Sequence, residues 1–218
     1  MGFKFLITFF LLYILFACKT GSYFFFNRII VRLYYIWVMK KIVFLDHDGV
    51  ICLLDNFGSR RNKKGYIGMN SDVLARFDNF DRKAVKILNS IIEATDCEIV
   101  VSSDWRFWAT LEEMGQYYLS QGIKKAPIAY TPRYISSEIA ADGFDYEPAE
   151  TRSYEIKEWL SENPDVTHWV AVDDLDMTER FGIVSGNHRW GLKNFVHTPK
   201  SREGIKQSGI EEKIIGFL

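Results

Sequence analysis

Cysteine is scarce in this chain. Cys18, Cys52 and Cys97 are the only three in 218 residues, odd in number and without C-x-x-C spacing, which excludes a disulfide framework and leaves no case for a thiolate zinc site. Two of them lie beside apolar runs, where a thiol behaves as a small hydrophobe, so the usage points to a reducing compartment. Histidine forms no cluster either: His47, His168, His188 and His197 are scattered, and His47 is the one whose location suits chemistry. No internal repeat or low-complexity linker divides the chain. Positive charge is not in surplus, because the formal net charge is −1.

Acidic residues are missing altogether from positions 1–38, where Lys4, Lys19, Arg28 and Arg32 are the only charges. Without those four cations the remainder carries −5, which argues against strong non-specific attraction to nucleic acid. The apolar stretch Phe5–Ala17 has 13 residues, short of the roughly 20 that span a bilayer. It is nearer in length to a signal-peptide core, and Leu15-Phe16-Ala17-Cys18 is a loose match to a lipoprotein cleavage box. A signal, a lipid anchor or a membrane segment is one reading of residues 1–38. The reading preferred here is an extension upstream of a natural start at Met39, which leaves residues 39–218 as one domain of about 180 residues in the cytoplasm.

The most informative segment is Asp46-His47-Asp48-Gly49-Val50, which directly follows the apolar run Ile42-Val43-Phe44-Leu45. A short apolar run ending in acids reads as a buried strand that delivers carboxylates to a sheet edge. In an extended strand end, residues 46 and 48 point the same way, so both carboxylates should converge on one spot. Their repulsion calls for a hard divalent cation with oxygen ligands, of which Mg2+ fits best. Gly49 lets the chain turn sharply where a side chain would obstruct a ligand.

Further strand ends carry what phosphoryl chemistry needs. Glu98-Ile99-Val100-Val101 runs into Ser102-Ser103, whose hydroxyls can donate to phosphate oxygens. Trp169-Val170-Ala171-Val172 runs into Asp173-Asp174. Between them, Arg152 and Lys157 lie at or near the start of a helix predicted to run over about 153–162 and to stop before Pro164. Predicted strands at 42–45, 99–101, 126–130, 169–172 and 182–184 alternate with predicted helices at 81–95, 107–121 and 153–162. This rhythm specifies an α/β fold, a Rossmann-like parallel sheet flanked by helices.

That order of acid pair, hydroxyl, cation and acid pair resembles the haloacid dehalogenase (HAD) superfamily of aspartate-nucleophile phosphohydrolases over residues 40–195. More narrowly, Val101-Ser102-Ser103-Asp104-Trp105-Arg106, Tyr130-Thr131-Pro132, Arg152 with Glu155-Ile156 and Trp159-Leu160, Val172-Asp173-Asp174 and Gly191-Leu192 resemble the HAD-like domain of Swiss Army Knife RNA repair-like proteins. The resemblance implies Asp46 as nucleophile and Asp48 as general acid and base. It implies Ser102 or Ser103 on the phosphoryl group, Arg152 or Lys157 as the cation, and a metal held by Asp46, Asp48 (in the superfamily through its backbone carbonyl), Asp173 and Asp174. A phosphotransferase using the same aspartyl-phosphate, or a non-catalytic phosphate-binding adaptor, are the alternatives.

Substrate choice is less legible. The insertion points, about 53–80 and 107–150, look too small for an elaborate cap, leaving a site open to large substrates. Arg60-Arg61-Asn62-Lys63-Lys64, with Tyr66 nearby, is either a grip on a nucleic-acid backbone or a solvated loop. Trp105-Arg106 reads equally as part of the substrate mouth or as a buried indole beside a surface ion pair.

Overall fold

Lys40–Leu45 forms β1, and its last four residues are buried. A strand covered on both faces needs apolar side chains at successive positions, and Ile42-Val43-Phe44-Leu45 supplies them. The computed structural model describes residues 40–53, 72–133, 148–181 and 189–218. The extension 1–38, the basic run at 60–64 with Tyr66, and the strand predicted at 182–184 lie outside the described residues, as do parts of both insertion segments.

After β1 come α1 (Val73–Arg76), α2 (Arg82–Thr95), β2 (Glu98–Val101), a 3-10 turn (Asp104–Phe107), α3 (Leu111–Ser120), β3 (Ala129–Tyr130), α4 (Pro148–Glu162) and β4 (Val166–Asp173). A short antiparallel pair, β5 (Arg180–Phe181) and β6 (Arg189–Trp190), precedes β7 (Phe195–His197) and α5 (Ile210–Phe217). The main sheet has the order β3-β2-β1-β4-β7, and every neighbouring pair in it is parallel. Among the described residues, no helix is long and apolar enough to cross a membrane.

Alternation along the strands divides the core in two. Ile42 and Phe44 pack with Val100, Ala171, Ile156 and Trp159 on the α4 side. Val43 and Leu45 pack with Ile99, Val101, Val170 and Val172 against Leu88, Ile91, Met114, Tyr117 and Ile214 from α2, α3 and α5. The sheet is therefore a middle layer between two helical layers, as the α/β rhythm predicted.

Element boundaries differ from expectation: β3 is only Ala129–Tyr130 of the predicted 126–130, β4 runs Val166–Asp173 rather than 169–172, and three further differences have a local cause. α4 starts at Pro148, five residues earlier than predicted, because proline is tolerated in the first turn of a helix, where its missing N–H costs nothing. α3 starts at Leu111 behind a capping box of Thr110 and Glu113, and residues 104–107 form a separate 3-10 turn capped by the Ser103 side chain. The fifth strand of the main sheet is β7, three residues too short to register as a pattern.

Candidate active site

Sheet register sets three side chains abreast. Leu45 is paired with Val101 on one side and Val172 on the other. The next residues, Ser102, Asp46 and Asp173, therefore stand in a row across the carboxyl ends of β2, β1 and β4, spaced by about 4.8 Å per strand. Backbone bonds extend the ladder past the strands, from Asp46 N to Val172 O at 3.1 Å and from Ser102 N to Leu45 O at 2.9 Å. Strand alternation places all three on the face shared by Phe44, Val100 and Ala171, which is the α4 face.

α4 answers with a cation. Arg152 is buried, and its Nη1 lies 3.0 Å from Asp46 Oδ1 and 2.9 Å from Asp173 Oδ2, while Nη2 reaches Asp104 Oδ1 at 3.3 Å. Burial opposes the guanidinium charge, but Asp46 and Asp173 hold it protonated beyond its ordinary range. Lys157 follows five residues later, about 140° further round the helix, and its Nζ stands 5.5 Å from the Tyr154 ring centre. The structure brings Arg152 to Asp46 and leaves Lys157 away from it.

Asp174 completes an acidic cluster. Oxygens of Asp46, Asp173 and Asp174 lie within 4.8 Å of one another, so each pair repels by on the order of 3 kcal/mol at an effective dielectric of about 20. Three such pairs rival the whole stability of a domain of this size, roughly 5–15 kcal/mol. Three carboxylates against one guanidinium leave two negative charges uncompensated. The proton affinities record the mismatch: burial raises Asp46 well above the carboxylate range, with Arg152 pulling the other way, and burial likewise raises Asp173 and Asp174. An all-oxygen, doubly negative cluster fits a hard divalent cation.

The Asp48 carboxylate does not join these three. The expectation that residues 46 and 48 point the same way assumed an extended chain, but the backbone turns at once. The N–H groups of Val50, Ile51 and Cys52 all bond His47 O, at 3.2, 3.0 and 2.7 Å, and Gly49 sits at φ +72°. The Asp48 carboxylate consequently accepts from Trp105 Nε1 at 2.9 Å, and the Cys52 thiol is a second donor. Burial raises the Asp48 pKa from its ordinary value while these two donors oppose it.

His47 faces the other side of the sheet. Its Nε2 shares a 2.6 Å hydrogen bond with the Tyr118 hydroxyl, and its ring packs on Trp105, Phe80 and Tyr118. Burial lowers its pKa to about 3, which keeps it neutral and structural at ordinary pH.

The two serines separate clearly. Ser102 is buried, and among the described residues its Oγ has no hydrogen-bond partner, although it stands in the row beside Asp46. A buried hydroxyl left without a partner is costly unless a ligand supplies one. Ser103 Oγ instead accepts from Trp105 N at 3.5 Å as the cap of the 3-10 turn.

Sequence reasoning missed the role of Arg106. Its Nη2 bonds both oxygens of Glu155 at 2.7 Å and its Nη1 bonds Thr131 Oγ1 at 2.5 Å, with both members of the ion pair almost fully enclosed. Arg106, Thr131 and Glu155 belong to three of the short motifs quoted above, and their joint presence was the available signal. The clamp ties the loop after β2 and the end of β3 to α4, one turn beyond Arg152.

Residues 42–207 match a family described as the HAD domain in Swiss Army Knife RNA repair proteins. No curated protein and no solved structure matches the chain.

Proposed function

Because the chain belongs to the family of HAD domains in Swiss Army Knife RNA repair proteins, a phosphohydrolase-type family, we propose that it is a Mg2+-dependent phosphomonoesterase with Asp46 as nucleophile. The observation that carries this reading is the row of Ser102, Asp46 and Asp173 with Arg152 bridging the two acids. Asp46, Asp173 and Asp174 would hold Mg2+, which when bound screens their charge from an incoming phosphate and withdraws charge from its oxygens.

The chain's own groups do the rest. A carboxylate oxygen of Asp46 bonds to phosphorus as the ester P–O bond breaks, and Asp48, protonated, gives its proton to the departing oxygen. Asp48 then takes a proton from water as the water oxygen bonds to phosphorus and the aspartyl-phosphate bond breaks, which frees phosphate and restores both acids. Ser102 Oγ donates to the phosphoryl oxygens, and Arg152 holds Asp46 oriented and opposes the burial that favours its protonation.

Nucleotide or polynucleotide ends are the substrate class we favour. The family's association with RNA repair proteins supports it, and so does Arg133, an exposed cation that follows β3 and stacks 4.2 Å from the Phe107 ring centre. The buried free thiols Cys52 and Cys97 suit a cytoplasmic catalytic domain.

The test is turnover of an aryl phosphate by the full chain with and without Mg2+, beside Asp46→Asn. Turnover only with metal, abolished by the substitution in a folded protein, is expected. Inertness of both proteins across a broad phosphate panel would favour the adaptor reading. Transfer of phosphate to added alcohols in preference to water would favour the phosphotransferase. Neutralising Arg60, Arg61, Lys63 and Lys64 together should selectively slow turnover of phosphorylated oligonucleotides, and equal rates would remove the nucleic-acid idea.

A further inference from the structure

We infer that Trp105 is a positioning residue for the proton transfer at Asp48, a proposal that rests on the phosphomonoesterase reading above. Trp105 Nε1 donates to Asp48 Oδ2 at 2.9 Å. An indole N–H is a donor only, so it engages Oδ2 as an acceptor and disfavours a proton there; the Cys52 thiol is the weaker second donor to the same carboxylate. The indole cannot drift away from this contact. It stacks on Phe77 with ring centres 4.6 Å apart and 7° between planes, lies against Phe80 at 5.5 Å and 19°, and meets the His47 ring edge-on at 4.7 Å.

These neighbours explain why the turn around His47 O can aim Asp48 away from the acidic cluster and still hold it in place. Asp46 and Asp48 are separated by a single residue, and Trp105 keeps the proton-transfer group distinct from the acids that bind a cation. Orientation of the donor matters only for bonds whose leaving oxygen needs a proton.

The experiment compares kcat/KM of wild type, Trp105→Phe and Asp48→Asn, each as the full chain with Mg2+. One substrate is an alkyl phosphate with a strongly basic leaving oxygen, and the other is a dinitrophenyl phosphate, whose leaving group departs unprotonated. Phenylalanine keeps the aromatic stack and deletes only the donor. Trp105→Phe should lose about tenfold or more on the alkyl ester and stay within about threefold on the aryl ester, with Asp48→Asn showing the same split more strongly. The aryl-ester rate also reports whether the variant is folded. Equal losses on both esters, which a merely structural role would give, or no loss on either, overturn the proposal. If Asp48→Asn itself shows no split, the assignment of Asp48 as proton donor fails instead.

Discussion

Gly49 and Asp174 are packed so closely that a side chain at position 49 has no room: a Cβ there would overlap the Asp174 carboxylate. Gly49 also sits at φ +72°, a conformation that L side chains rarely adopt. Gly49→Ala should push Asp174 out of the acidic cluster, weaken Mg2+ binding at least about tenfold and destabilise the protein by about 1–2 kcal/mol. Calorimetric titration with Mg2+ and urea unfolding measure the two effects. Unchanged metal affinity would show that Asp174 is not a ligand.

Arg152 is the counter-charge for two buried acids. Arg152→Ala should cost about 3–5 kcal/mol in metal-free protein, because it leaves Asp46 and Asp173 uncompensated, whereas Lys157→Ala should stay within about 0.5 kcal/mol. Saturating Mg2+ should recover part of the Arg152→Ala loss. Thermal unfolding of both variants with and without Mg2+ decides, and equal effects from the two substitutions would reject the assignment.

The Arg106–Glu155 clamp is nearly solvent-free, with side-chain exposures of 5% and 4%. Glu155→Leu strands a buried guanidinium and should cost about 3–5 kcal/mol, while Arg106→Met combined with Glu155→Leu should cost far less than the sum of those two single changes. Urea unfolding of the four proteins closes the cycle, and simple additivity would contradict a coupled pair.

One acid-sensitive contact lies away from the site. Arg76 donates to Glu113 at 2.6 and 3.0 Å, and Thr110 N adds a third bond at 2.9 Å. Arg76 first, then Thr110, lowers the Glu113 pKa from 4.5 to about 2. A depressed folded-state pKa means that the contribution is complete above pH 4.5 and disappears as pH falls toward 2. Glu113→Gln should therefore cost about 1 kcal/mol at pH 7 after solvent screening. The gap from wild type should narrow steadily below pH 4.5 in unfolding measurements, and a gap independent of pH would exclude the ion pair as its cause.

Much of the site could be read before folding because its row of residues obeys a local rule. Apolar runs ending at Leu45, Val101 and Val172 identify strands, and parallel strands of an α/β sheet end on one edge. The residues just past those ends, Asp46, Ser102 and Asp173, share a face because side chains alternate with a period of two. Strand identity, the layered fold and this row therefore follow from the order of residues alone, and α4 could be foreseen as a source of the cation.

What tertiary structure decided is where neighbouring side chains go once the regular period ends. Past Leu45 the chain coils around His47 O, and the packing of Trp105 among Phe77, Phe80 and His47 sends Asp48 away from Asp46. Arg152 rather than Lys157 faces the acids because α4 begins at Pro148 and is docked through Glu155 and Arg106. Trp105 lies 57 residues from Asp48 and Glu155 lies 49 from Arg106. No local period specifies contacts at that separation, which depend on how whole layers pack.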